Sequence, residues 1–306
     1  MNCSTHFSAL KTAGAMPLVQ QGHPATSELP VTCAAAAVHA ANLAKARVIV
    51  TGASSGIGEE MAYHYARAGA HLVLTARREN VLITVRSKCL ELGAKSVSLV
   101  VADMGLSEAR EEVVEKAIAD MGGLDYLVLN HIGYTSFQMW DGDVNHTRWL
   151  MEVNFLSYIH LAAKALPHLA ESRGSIIVLS SLTGKIATPF TTSYGASKFA
   201  LDGFFSSLRH ELAMKRTPVS ITLCILGLID TESAMEKVKD KVALPAYPAH
   251  DAALAVVSAG TSRVEEMYYP WYVRPLCFIR DWFPQSRAWL MQKTYQYTPE
   301  ETLVPS

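Results

Sequence analysis

The stretch from Val48 to Gly58 reads Val-Ile-Val-Thr-Gly-Ala-Ser-Ser-Gly-Ile-Gly. Its short apolar run predicts a buried strand, and the residues after the glycines have helical apolar spacing. Gly52 permits a tight turn, Gly56 lets the backbone approach a phosphate, and Gly58 allows the helix to pack against the strand. Backbone N–H groups at the helix N-terminus favour an anion. This strand–loop–helix unit therefore predicts a dinucleotide site, with contacts from Gly52, Ser54, Ser55, Gly56, Ile57 and Gly58.

Similar apolar runs recur along the chain, at Leu72–Thr75, Val97–Val101, Tyr126–Leu129, Ile176–Ser180 and Ile221–Ile225. Most are too short for helices and too continuous for half-exposed strands, so they fit a parallel sheet buried on both faces. Segments of helical spacing lie between them; Ile57, Met61 and Tyr65 are one example, with Gly69 placed to end that helix. This alternation predicts an α/β fold, a doubly wound and mostly parallel sheet of the Rossmann type.

One catalytic domain is expected over residues 47–267. Residues 1–46 are rich in Ala, Ser, Thr and Pro and are expected to form a flexible leader, which fits a signal peptide poorly. Residues 268–306 form an extension in which aromatic and apolar residues alternate with arginines. This extension could contact a membrane or a partner subunit, or it could pack on the core as a helix.

Composition excludes several kinds of protein. The 306 residues carry a net charge of −1 at a pI near 6.8, which gives no broad attraction for nucleic acid. No apolar run is long enough to span a membrane. The cysteines show no zinc spacing, and no metal is expected. The sequons at Asn2 and Asn145 matter only in a chain that enters the secretory pathway.

A second motif, Tyr194-Gly-Ala-Ser-Lys198, suggests the chemistry. The two ionisable residues are at i and i+4, hence on the same helix face. A nearby ammonium is expected to lower the high pKa of the phenol, so that Tyr194 can exchange a proton with a carbonyl or alcohol oxygen. Ser181 follows the fifth predicted strand and could hold that oxygen, with Ser180 as the rival position. Asn154 lies in a helix predicted over Trp149–Leu161 and is either an ordinary polar residue or part of a proton relay with Lys198.

The type of cofactor is indicated where the second predicted strand ends, at Arg77 and Arg78. An acidic residue at this point would bind the ribose 2′-hydroxyl of NAD, whereas arginine favours the 2′-phosphate of NADP. NADP is therefore the expected cofactor. Asp103 follows the third strand and could approach the adenine, and Asn130 follows the fourth and could contact the adenosine ribose or brace the sheet. Either could instead be an ordinary cap or turn residue.

These motifs together resemble the short-chain dehydrogenase/reductase superfamily over roughly residues 47–265, and the 11β-hydroxysteroid dehydrogenase subgroup most closely. The resemblance implies an NADP-linked enzyme that interconverts hydroxyl and keto groups on a steroid. It makes Tyr194 the acid/base, Lys198 its partner, Ser181 the substrate binder and Asn154 a relay. It also implies cofactor contacts from Met104, Asn130, His131, Ile132, Ile229 and Thr231.

The resemblance further implies a homodimer and a small apolar substrate, and it favours the endoplasmic reticulum; a cytoplasmic location is the alternative because the leader lacks the subgroup's membrane anchor. Thr188 stands before Pro189, where the steroid enzyme has a tyrosine that faces the substrate. Two other functions stay open. One is the reduction of retinal or another lipid carbonyl, and the other is a non-catalytic NADP-binding redox sensor.

Overall fold

The computed structural model describes residues 43–238, 241–282 and 293–295. Most of the predicted leader lies outside these ranges, as does most of the chain beyond 282. The strands are β1 Arg47–Thr51, β2 His71–Ala76, β3 Ser96–Val101, β4 Tyr126–Leu129, β5 Ser175–Ser181, β6 Ser220–Leu226, β7 Ile229–Asp230, β8 Tyr247–Pro248 and β9 Glu266–Tyr269. The α-helices are α1 Gly56–Arg67, α2 Glu79–Glu91, α3 Ser107–Met121, α4 Val144–Met151, α5 Ser157–Ser172, α6 Thr192–Met214, α7 Glu232–Val238, α8 Ala249–Thr261 and α9 Val273–Trp282.

Seven strands form one parallel sheet in the order β3-β2-β1-β4-β5-β6-β9. In β1, Val50 pairs with Leu74 of β2 on one side and with Val128 of β4 on the other. The order runs outward in both directions from β1 and β4, which confirms the predicted doubly wound Rossmann-type sheet. The short strands β7 and β8 pair separately from it.

Both faces of the sheet are buried. Side chains alternate between the faces along each strand, so a single strand contributes to the core on both sides. In β1, Ile49 packs into one hydrophobic cluster, whereas Val48 and Val50 pack into a cluster on the opposite face. Leu43 and Ala46 belong to the second cluster, so chain packing begins before the boundary at residue 47.

The helix predicted over Trp149–Leu161 differs from the structure. Helix α4 ends at Met151, a π-helical turn follows at Glu152–Leu156, and α5 begins at Ser157. Apolar periodicity does not reveal a single wider turn, because helical residues continue on both sides of it. Such π turns often mark functional sites, and Asn154 lies within this one.

The C-terminal extension joins the core at its start. Strand β9 crosses the expected boundary between residues 267 and 268, and Tyr272 and Val273 are buried. The opposite side of this segment is open, since Trp271 is 70% and Phe278 is 62% exposed. Residues 268–273 therefore pack on the core, which was the alternative to a membrane or subunit contact. Within the described ranges, no helix combines the length and apolar character needed to cross a membrane.

Candidate active site

A cavity of about 280 Å³ opens at the carboxyl ends of β4, β5 and β6, beside the glycine loop that follows β1. This is the edge at which the strand order reverses between β1 and β4, where α/β sheets bind their ligands. The cavity brings together side chains that are far apart in the chain. Those predicted from the sequence to act at the site and found in its wall are Ile57, Asn130, Ile132, Ser181, Tyr194, Lys198, Ile229 and Thr231.

The glycine loop has the shape of a cradle for a phosphate. Gly52 and Gly56 have positive φ angles of 65° and 57°, which side chains rarely adopt. A Cβ atom at Gly56 would lie 2.9 Å from Thr231 Cγ2, and one at Gly58 would lie 2.2 Å from the Gly52 carbonyl oxygen. Ser55 precedes α1 and makes no side-chain capping bond, so its hydroxyl is available at the helix N-terminus. These positions fit a dinucleotide pyrophosphate.

Asn130 braces the loop against the sheet. Its side-chain amide donates to the carbonyl oxygens of Thr51 at 3.0 Å and Gly52 at 3.1 Å. The Thr51 hydroxyl in turn accepts from the Asn130 backbone N–H at 2.9 Å and donates to the Val128 carbonyl oxygen at 3.0 Å. Asn130 therefore braces the sheet, one of the alternatives that the sequence left open, and it also lines the cavity.

His131 is buried behind the cavity wall. Its Nδ1 lies 2.9 Å from the Thr51 hydroxyl oxygen and its Nε2 lies 2.7 Å from the Ser157 hydroxyl oxygen. Burial and the charge of Lys198 lower the pKa of His131 to about 3, so the imidazole is neutral at physiological pH. Its side chain fills the interior, while the next residue, Ile132, faces the cavity.

Of the two arginines predicted to bind a 2′-phosphate, Arg78 is hydrogen-bonded to the glycine loop. Its Nη2 donates to the Ser54 hydroxyl at 3.2 Å and to the Ser54 carbonyl oxygen at 3.3 Å. Arg77 is exposed beside it. The pair gives the rim of the glycine loop a positive charge that suits an additional phosphate.

Asp103 and Met104 follow β3 and do not line the cavity. Asp103 accepts a hydrogen bond from the Gly105 N–H at 2.9 Å, the geometry of a turn residue. The Met104 side chain is buried, and its carbonyl oxygen accepts from Arg110 Nε at 2.8 Å. Asp103 was predicted to approach the adenine and Met104 to contact the cofactor; in the structure both residues shape the turn beyond β3.

Tyr194 and Lys198 lie in the first turns of α6, as their spacing predicts. The Lys198 ammonium donates to the Leu179 carbonyl oxygen at 2.8 Å and lies 5.7 Å from the centre of the Tyr194 ring. Burial lowers the pKa of Lys198 to about 7. Burial also raises the pKa of Tyr194 to about 12, an effect that the Ser181 hydroxyl partly offsets.

The direction of the Tyr194 shift corrects the expectation that Lys198 lowers this pKa. Burial removes water from both groups, so each favours its neutral form. A lysine with a pKa of about 7 is only partly charged near neutrality and therefore stabilises a phenolate weakly. Tyr194 is consequently protonated at physiological pH, the state needed to donate a proton to a carbonyl oxygen.

Ser181 ends β5 beside Tyr194. Its oxygen accepts hydrogen bonds from the Thr183 N–H at 3.2 Å and from the Thr183 hydroxyl at 3.1 Å. Both donors point at the Ser181 oxygen, which leaves its own proton to be donated, and the Tyr194 phenol is the neighbour with which Ser181 shares a hydrogen bond. Ser180 is buried, and its hydroxyl has no partner among the residues that the structure describes. Sequence reasoning missed Thr183, because an anchoring hydroxyl two residues away has no distinctive pattern.

Asn154 links two parts of the site. Its Oδ1 accepts from the Gly133 N–H at 2.7 Å, and its Nδ2 donates to the Ser197 hydroxyl at 3.1 Å. Ser197 in turn donates to the Tyr194 carbonyl oxygen at 2.7 Å. Asn154 thus connects the segment after β4 to the first turns of α6 and helps to hold Tyr194 in position.

The C-terminal part of the chain also reaches the cavity. Tyr295 lines it, and its ring centre lies 6.2 Å from that of Phe137 and 6.4 Å from that of Phe190. A β-bridge to Val242 holds Tyr295 there. Burial raises the pKa of the Tyr295 phenol, and a hydrogen bond with the Thr188 side chain opposes this shift. No local sequence pattern indicates this contact, because it joins segments that are far apart in the chain.

Residues 46–242 match the model of the short chain dehydrogenase family. The chain belongs to that family and is an oxidoreductase with a nicotinamide cofactor site. Among curated proteins it is similar to the hydroxysteroid 11-beta-dehydrogenase 1-like protein of Xenopus tropicalis, with 74% identity over 83% of this chain and 89% of the relative. The protein of the same name from Danio rerio is 58% identical over 84% of this chain and 90% of the relative.

Solved structures agree with this fold. A short-chain dehydrogenase from Burkholderia cenocepacia J2315, solved in complex with NADP, matches with a TM-score of 0.66 and 25% identity over 74% of this chain and 97% of its own. A dehydrogenase/reductase from Sinorhizobium meliloti 1021 matches with a TM-score of 0.68 and 25% identity, over 76% of this chain and 97% of its own.

Proposed function

We propose that the protein is an NADP-dependent oxidoreductase that interconverts hydroxyl and keto groups on a steroid, in the manner of an 11β-hydroxysteroid dehydrogenase. The observation that supports this best is the position of Tyr194 and Ser181, side by side at the wall of a cavity lined mainly by apolar residues. The names of the similar curated proteins support the steroid class. An apolar cavity with a few converging polar groups suits a small lipophilic substrate.

The glycine loop and the basic rim support the choice of NADP. Gly52, Gly56 and Gly58 leave room for a pyrophosphate, and Arg78 stands at the loop where a 2′-phosphate would lie. The bound nicotinamide would supply or accept the hydride. Lys198, buried under Tyr194, is suited to bind the hydroxyls of the nicotinamide ribose.

The protein's own residues handle the proton. Ser181 would donate a hydrogen bond to the substrate oxygen and hold it beside the Tyr194 hydroxyl. Tyr194, protonated at neutral pH, would transfer its proton to that oxygen when a ketone is reduced. Alcohol oxidation would run the same transfer in reverse and requires the phenolate. The raised pKa of Tyr194 therefore favours reduction near neutrality and oxidation at alkaline pH.

The test is turnover by the purified full chain. The protein is incubated with NADPH or NADH and with cortisone, androstenedione, progesterone or retinal, and the oxidation of the cofactor is followed. We expect reduction of at least one ketosteroid, with NADPH preferred over NADH. Turnover of retinal alone would contradict the steroid class and favour a lipid-carbonyl reductase. Binding of NADPH without reduction of any carbonyl would contradict the enzyme and favour a redox sensor.

A further inference from the structure

Helix α7 places a lysine in the wall of the cavity. Lys237 is half-buried, and its ammonium lies 5.3 Å from the centre of the Tyr134 ring. Lys198 is the other cation among the described residues that line the cavity, and none of those residues is a carboxylate. A cation in a mainly apolar cavity is costly unless a counter-charge accompanies it.

Lys237 has no task in the chemistry proposed above. The Lys198 ammonium is bonded to the Leu179 carbonyl oxygen beneath Tyr194, whereas the described part of the chain gives Lys237 an aromatic face instead of an acceptor. Burial lowers the pKa of Lys237, and the charge of the neighbouring exposed Glu236 offsets this in part. Burial is the larger of the two effects, so the loss of hydration outweighs the attraction of Glu236.

The phosphates of a dinucleotide do not account for this lysine. The phosphate end of the cavity is marked by Gly56, whose Cβ would lie 2.9 Å from Thr231 Cγ2. Thr231 directly precedes α7 and Lys237 lies near its end; at about 1.5 Å per helical residue, this corresponds to a rise of roughly 9 Å along the helix. Its ammonium contacts Tyr134, and the neighbouring cavity wall includes Val238 and Val242. Tyr134 is 63% exposed and does not line the cavity, so the Lys237 ammonium lies at the mouth of the cavity, on the side away from the glycine loop.

We propose that Lys237 forms an anion subsite within the substrate cavity, so that the preferred substrate is an apolar ketone or alcohol with a carboxylate or sulfate group remote from the reacting carbon. This inference rests on the proposed function, since it assumes that the same cavity holds the substrate. The apolar wall takes the hydrocarbon body, and Tyr194 with Ser181 takes the reacting oxygen. A hydrogen bond between an ammonium and an anion is about twice as strong as one between neutral groups.

Paired probes test the subsite in the NADPH-loaded full chain. One pair is dehydroepiandrosterone and its sulfate ester; the other is acetylbiphenyl and the same ketone with a carboxylate on the far ring. For each pair, kcat/KM of the anionic member is divided by that of the neutral member. The proteins compared are the wild type, Lys237→Met, Lys237→Glu and the control Lys215→Met, an exposed lysine at the end of α6 that does not line the cavity.

We expect the wild type and Lys215→Met to prefer the anionic member of at least one pair about 10–100-fold, as one charge-assisted bond allows. Lys237→Met should lose this preference, and Lys237→Glu should reverse it. Preference for the sulfate, the carboxylate or both identifies the anion. Ratios that are the same in all four proteins would overturn the proposal. So would a tenfold weaker affinity of Lys237→Met for NADPH with unchanged ratios, because the lysine would then serve the cofactor.

Failure of the proposed function gives a different result, namely no turnover of either member by the wild type. In that case equilibrium dialysis of the two anionic probes decides the subsite. Binding that is about tenfold tighter to the wild type than to Lys237→Met supports it, and equal binding overturns it.

Discussion

At the scale of the residue, the site depends on how burial changes the charge of a few side chains. Lys198 and Tyr194 are both shifted toward their neutral forms by the protein around them. Arg78 remains at the rim, tied to Ser54. The buried pair is suited to moving one proton, while the exposed arginine is suited to attracting a phosphate.

The rim arginines should differ in their contribution to cofactor choice. Arg78→Ala removes the guanidinium beside Ser54 and should weaken NADPH binding about 10–100-fold, the value of a charge-assisted hydrogen bond to a phosphate. NADH binding should change little, and Arg77→Ala should have the smaller effect. The measurement is the Kd of each cofactor by fluorescence titration. Arg86→Ala, an exposed arginine farther along α2, is the control. Equal loss of NADPH and NADH affinity in Arg78→Ala would contradict the assignment.

The buried lysine should make stability depend on pH. The pKa of Lys198 is about 7 in the folded protein and 10.5 in its ordinary state. Between these values the unfolded chain binds a proton that the folded chain does not, so this residue makes the free energy of unfolding rise with pH. Lys198→Met removes the penalty of burying the charge. The substitution should therefore stabilise the cofactor-free protein most at or below pH 7, and the gain should shrink as the pH approaches 10.

Urea unfolding of the wild type and Lys198→Met from about pH 6 to about pH 9.5 measures this difference. Lys215→Met, which replaces an exposed lysine, should show no such trend. A difference between wild type and Lys198→Met that stays constant or grows with pH would contradict the shifted pKa.

At the scale of the element, the π-helical turn at Glu152–Leu156 connects two parts of the site. It holds Asn154 between the segment after β4 and the start of α6, through Gly133 on one side and Ser197 on the other. All of these contacts are buried. The turn is therefore a structural support for Tyr194, whether or not Asn154 also relays a proton.

Loss of this link should be measurable as stability. Asn154→Ala leaves the buried Gly133 N–H without its acceptor and should lower the free energy of unfolding by about 1–3 kcal/mol. Asn145→Ala makes the same change at an exposed position of α4 and should stay within about 0.5 kcal/mol of the wild type. Urea unfolding at neutral pH compares them. Equal stability of the two variants would mean that the Asn154 link contributes nothing.

At the scale of the whole molecule, local patterns predicted most of the sheet, because its central strands are short apolar runs buried on both faces. The run at Tyr126–Leu129 coincides with β4, and the run at Ile221–Ile225 lies within β6. Strand β9 was not predicted, since Glu266–Tyr269 is only partly buried and lacks an apolar run. The i, i+4 spacing of Tyr194 and Lys198 correctly predicted a shared helix face.

The rest of the site depends on contacts between distant segments. The approach of Tyr295 to Phe137 is set by how the chain returns to the cavity, which no local spacing encodes. The position of Lys237 opposite Tyr134 is of the same kind. The direction of the Tyr194 pKa shift depends on burial, and a sequence pattern does not measure burial.

The central claim is that Tyr194 donates the proton to a substrate oxygen in this cavity. Single-turnover reduction of a ketosteroid by NADPH-loaded protein, followed by NADPH absorbance, tests it in wild type and Tyr194→Phe. Tyr63→Phe, which removes a phenol bonded to Glu59 on α1, is the control. We predict that Tyr194→Phe slows the reaction about 10²–10⁴-fold while NADPH binding is retained, since a positioned acid contributes that much. Reduction by Tyr194→Phe at the wild-type rate would contradict the claim.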